Sequence, residues 1–112
     1  MTALLVALGA ALGAPLRFAW AHVLDDRWPV GTLLVNSLGC LVLGVASAMA
    51  LSGQSLALIG VGFCGGLTTY SAFAVQTHDL GPRRGSAYAA ATIVLALSAC
   101  ALGVWIGARA TS

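Results

Sequence analysis

The stretch GFCGGLTTYSAF, residues 62–73, lies in a run without a single charge from Leu56 to Thr77. Its centre nonetheless carries Gly65 and Gly66, followed by the β-branched pair Thr68 and Thr69. Each glycine disfavours helix by about 1 kcal/mol relative to alanine, and the threonines are stiff at χ1. Such a composition predicts a helix broken over Gly65–Thr69. At membrane depth, unwound backbone is tolerated only where it is buried in protein or lines a cavity, and its freed carbonyls are natural cation ligands.

Working outward from this run, the rest of the chain is just as apolar. Of 112 residues, 60% are hydrophobic and 7% charged, and the mean hydropathy of +0.98 exceeds what a water-soluble domain of this size maintains. The fold class expected is an all-α membrane protein. A bilayer core of about 30 Å takes roughly 20 helical residues. Four apolar runs meet that length, at 3–23, 29–51, 56–77 and 86–108, giving one four-helix transmembrane domain over residues 1–112. The amino-terminal run lacks a basic leading region and reads as the first span rather than a cleaved signal peptide. The connectors LDDRW, SGQS and HDLGPRRG hold most of the charge and are too short to recross a membrane, so neighbouring spans are expected to be antiparallel. Four helices do not readily enclose a polar path through lipid, so a transporter this small is expected to act as a dimer.

Five arginines and three aspartates are the whole charge inventory, without lysine or glutamate. A net charge of +2 offers no basic groove for nucleic acid. No acidic residue lies inside a span, which argues against a proton-coupled multidrug-type transporter. His22 and His78 sit near span ends, with no nucleophile or metal constellation around them, which argues against an intramembrane enzyme. Cys40, Cys64 and Cys100 are spaced for neither zinc nor a disulfide and read as small packing residues. Gly9-x-x-x-Gly13, Gly62-x-x-x-Gly66 and Gly103-x-x-x-Gly107 supply faces for close helix approach.

The polar side chains within spans are few. Ser47 and Ser98 read as hydroxyls bonded back to their own helices. Asn36 has two donors its own helix cannot satisfy, with Thr32 one turn earlier on the same face. After the expected break, Tyr70 and Phe73 fall three residues apart on one face, and the positive ring edges of such a pair favour a small anion without trapping it. Tyr88 and Thr92, one turn apart, offer hydroxyl donors. Arg17 is the one charged residue entering a span, read either as a snorkelling anchor or as an anion-attracting or structural group.

Together, GTLLVNSLG at 31–39, GFCGGLTTYSAF at 62–73 and Arg17 in ALGAPLRF resemble the small fluoride channels of the Fluc (CrcB) family. The resemblance covers all four spans. It implies passive, fluoride-selective export across the plasma membrane by an antiparallel, dual-topology dimer with two pores. It further implies a central sodium ion held by backbone carbonyls of Gly65 and Thr68. By motif position the fluoride pore falls on Asn36, Tyr70, Ser71, Phe73, Tyr88 and Thr92, and Arg17 matches the family's first-helix arginine. Departures from the family pattern are Tyr70 for a phenylalanine, Ala72 for a threonine, Gln76 for an acidic residue, and Ala96, which lacks a hydroxyl. Fluoride is a small, strongly hydrated acceptor whose water must be replaced by close N–H and O–H donors, as Asn36 and the hydroxyls supply.

The alternatives are a small multidrug-type transporter or an accessory membrane subunit. Arg27, Arg83 and Arg84 on one side outnumber Arg109 on the other, which favours both termini outside. This bias points to a heterodimer with a homologous subunit of opposite orientation as the rival of the homodimer.

Overall fold

A computed structural model of the chain describes residues 2–26, 28–50 and 53–110. The described residues are almost entirely helical; their only β feature is an isolated bridge between Asp25 and Pro29. The charge counted at Arg27 and the end of the second expected span at Leu51 lie outside them.

Helix α1, Thr2–Leu24, continues through Pro15. Helix α2, Val30–Ala48, starts behind Pro29, which has no side-chain oxygen with which to cap it. The cap comes from Asp25 instead, whose Oδ1 accepts the Thr32 N–H at 3.0 Å while Oδ2 accepts the Thr32 hydroxyl at 2.9 Å. A carboxylate in this position satisfies an orphan donor and complements the helix dipole.

The central run begins with α3, Gly53–Ser55, continues as a π-helix over Leu56–Cys64 and closes with α4, Gly65–Leu67. Thr68 (φ −84°, ψ 158°) and Thr69 (φ −150°, ψ 116°) are then extended. Helix resumes as α5, Tyr70–Asp79, and, after a turn at Gly81 with φ +86°, as α6, Gly81–Ala110. The break is therefore narrower than the sequence predicts, because Gly65 and Gly66 stay helical and only the two threonines unwind.

Three helical stretches are long and apolar enough to cross a membrane: Thr2–Leu24, Val30–Ala48 and the interrupted run Gly53–Ala110. The last, 58 residues, would measure about 87 Å as one straight helix at 1.5 Å per residue. The longest dimension of the molecule is 42 Å, so this run folds back on itself. The fold-back lies at Leu80–Gly81, where Gly85 of α6 packs against the backbone of Thr77 in α5.

Helix α1 lies along the π-helix and α4, and α6 lies along α2. Glycines set both seams. Gly9 and Gly13 abut the backbone of the segment holding Gly62 and Gly66, so two of the small-residue motifs face each other, and a methyl on any of the four would collide with main chain. Gly103 and Gly107 meet the backbone of Leu41 and Val45 in α2, with Gly44 returning the contact at Cys100. Close backbone approach of this kind is how helices associate where lipid removes the hydrophobic drive. The fully buried core is correspondingly small, with Leu67, Val35 and Thr32 its largest members, while Phe18, Val23 and Leu97 face outward.

Candidate functional site

The break is held open by one side chain from α2. Asn36 Oδ1 accepts the Thr69 N–H at 2.7 Å, and Asn36 Nδ2 donates to the Thr69 carbonyl at 3.1 Å. The amide pairs with Thr69 as a neighbouring strand would, satisfying backbone groups that the break frees. In an uninterrupted helix the Thr69 N–H donates to the carbonyl four residues back, that of Gly65. Asn36 diverts it, and the Gly65 carbonyl loses its usual donor. Thr68 turns back on the helix it leaves, its N–H and hydroxyl both donating to the Cys64 carbonyl at 2.9 Å and 2.8 Å. Its methyl occupies the space beside Gly39. Thr69 Oγ1 accepts the Ala72 N–H at 3.2 Å and starts α5.

Beside the break, a groove of about 670 Å³ carries Asn36, Gly65, Thr68, Tyr70, Phe73 and Thr92 on its wall. Six of the residues singled out from sequence thus share one surface. Only one Asn36 N–H is engaged with Thr69, leaving the amide's other hydrogen. Tyr70 is 80% exposed, and the space next to the Gly65 α-carbon is open. The rings form a ladder, Tyr70 to Phe73 at 6.1 Å between centroids and Phe73 to Tyr88 at 5.6 Å, tilted by 44° and 38°. Tilted rings present edges as well as faces. The Thr92 hydroxyl is buried beside the Tyr88 side chain, without a hydrogen bond of good geometry among the described residues.

The other expected residues sit apart from this wall, buried Tyr88 touching it only through Phe73. Ser71 is exposed, its hydroxyl 3.3 Å from that of Thr69. Arg17 is half-buried on α1. Thr32 does not join Asn36, since its hydroxyl and N–H are both taken by Asp25. Sequence reasoning missed Asp25, which it counted only as connector charge, and noted Gln76 only as a departure. Gln76 Nε2 donates to Asp25 Oδ2 at 3.1 Å, and the Tyr88 hydroxyl donates to Gln76 Oε1 at 3.3 Å. An acidic residue shortly before a proline at a helix start was the available signal.

Residues 4–108 match the family model of the CrcB-like proteins, described as Camphor Resistance (CrcB). The chain belongs to the CrcB-like family. Relatives align over nearly its full length. It is 47% identical to fluoride-specific ion channel FluC 2 of Rhodococcus jostii over the whole of both chains. With fluoride-specific ion channel FluC 1 of Thermobifida fusca it shares 45% identity over 88% of this chain and 86% of that one. With fluoride-specific ion channel FluC of Rhodospirillum rubrum it shares 37% over 96% and 92%. The CrcB-like chain is a multi-pass integral membrane protein, as its long apolar helices require.

Proposed function

We propose that this chain is a fluoride-selective channel of the plasma membrane that exports fluoride passively and so relieves its toxicity. The observation that carries this reading is full-length similarity to relatives named fluoride-specific ion channels. The groove supports it chemically. A spare amide N–H at Asn36 and ring edges at Tyr70 and Phe73 provide weak, successive anion contacts without a lysine to trap the ion, with the unpartnered Thr92 hydroxyl buried directly behind the wall. The protein works as a conduit rather than an enzyme.

The fold-back at Leu80–Gly81 supports a count of four membrane crossings, with the interrupted run taken as two. The groove is open on one side, so a second subunit completes it, either an identical chain in antiparallel orientation or a homologue of opposite bias. Sodium fits the break. The Gly65 carbonyl, deprived of its helical donor, and the Thr68 carbonyl in extended backbone are the hard oxygen ligands such a cation takes. The cation would supply fixed positive charge at the subunit junction. Asn36 takes the Thr69 N–H that would otherwise serve the Gly65 carbonyl, and the Thr69 hydroxyl takes the Ala72 N–H that would otherwise serve the Thr68 carbonyl.

Fluoride efflux from proteoliposomes, with chloride as control anion, tests the function. Fluoride is expected to leave far faster than from empty liposomes and far faster than chloride. Efflux equal to empty liposomes from protein verified as folded and dimeric would rule out the channel.

A further inference from the structure

Asp25, Gln76 and Tyr88 join the ends of α1, α5 and α6 in one chain of hydrogen bonds, and the chemistry of its first member fixes the direction of every bond. A carboxylate only accepts. Asp25 Oδ2 already takes the Thr32 hydroxyl and, at 3.1 Å, must also take an N–H from Gln76. Gln76 therefore turns its Nε2 toward Asp25 and its Oε1 toward α6, where it accepts the Tyr88 hydroxyl hydrogen at 3.3 Å. Tyr88 is 3% exposed and its ring packs on Phe73 of the groove wall.

We propose that Asp25 is a positioning residue for the anion path: acting through Gln76, it draws the Tyr88 hydroxyl hydrogen away from the groove, so Tyr88 backs the wall at Phe73 with its ring rather than turning an O–H donor toward the path. The idea rests on the channel reading, and it assigns this end of the path a weaker hold on fluoride than its hydroxyl content suggests.

Asp25→Asn reverses the polarity of the chain. Oδ1 still accepts the Thr32 N–H and keeps the α2 cap. The amide nitrogen now in the Oδ2 position donates to the Thr32 hydroxyl and to Gln76, the glutamine turns over, and its Nε2 donates to the Tyr88 oxygen. The Tyr88 hydrogen is then free to turn toward Thr92 and the groove wall.

Two measurements test this. In a Tyr70→Phe background Tyr88 is the only tyrosine, and the ultraviolet resonance Raman tyrosine doublet reports whether its hydroxyl donates or accepts. A donor signature is expected with Asp25 and an acceptor signature with Asp25→Asn; an unchanged doublet overturns the proposal and leaves Asp25 a helix cap. This readout needs no transport, so its failure is separable from failure of the channel reading. In flux, Tyr88→Phe is expected to cost about five-fold more in the Asp25→Asn background than in the native one, one hydrogen bond's worth of about 1 kcal/mol. Asp25's charge is absent from both members of the Asp25→Asn pair, so it cancels in that comparison. Equal costs in the two backgrounds overturn the proposal.

Discussion

Asn36 both stabilises the break and faces the groove, and substitutions separate the two duties. Asn36→Leu strands the Thr69 N–H and carbonyl together, each an unpaired backbone group costing about 1–3 kcal/mol. It is expected to lower the thermal midpoint in detergent and to cut fluoride flux at least ten-fold, the latter about 1.4 kcal/mol of barrier. Phe73→Ile keeps apolar bulk and removes the ring, so stability is expected to hold while flux falls sharply, as read by paired unfolding and efflux assays. Unchanged flux in both variants would reassign Asn36 and Phe73 to packing.

At the scale of elements, the unwound pair depends on how α2 fits against it. The Thr68 methyl fills the space that a side chain at Gly39 would take, and its hydroxyl is tied to the Cys64 carbonyl. Gly39→Ala is therefore expected to destabilise by about 1–3 kcal/mol through overpacking. Adding Thr68→Ser, which keeps the hydroxyl and drops the methyl, should recover most of that loss in a thermal melt; no recovery would mean that the methyl is not what Gly39 accommodates. The same contact explains why sequence located the break only approximately. Gly65 and Gly66 weaken helix locally by about 1 kcal/mol each, which drew attention to the right turn of chain. Asn36 and Gly39, some thirty residues earlier, decide that Thr68 and Thr69 are the residues that unwind, and no local propensity carries that information. The small-residue motifs were visible as patterns, but their pairing across α1 and the central run was not. The aromatic pair and Asn36 were legible because polar and ring-bearing side chains are scarce in a sequence this apolar. Asp25 escaped notice because it sits in a charged connector, where a carboxylate is unremarkable.

At the scale of the whole molecule, the hydrogen bond from Gln76 to Asp25 and the Arg84 guanidinium 5.0 Å over the Trp28 ring bring the first and third connectors to one end. Arg83 and Arg84 share that end, while Arg109 closes α6 at the far one. Single cysteines at Gln54 and at His78, in a background lacking the three native thiols, should therefore label from opposite faces of intact cells. Labelling of His78→Cys from the cytoplasm alone is the outcome expected of a chain with one fixed orientation, whereas equal labelling of both sites from outside points to the dual-topology homodimer. The glycine seam between α1 and the central run bears on movement. Where two main chains touch at Gly9, Gly13, Gly62 and Gly66, no side chain can change rotamer to make way, and sliding by a fraction of a turn would drive a neighbouring methylated residue into peptide atoms. The two rods behave as a stator. Thermal breathing of the conduit then falls to α5, a ten-residue segment that hangs from two extended threonines at one end and a left-handed glycine at the other, so amide hydrogens there should be the first to exchange with solvent deuterons while those along the seam are the last.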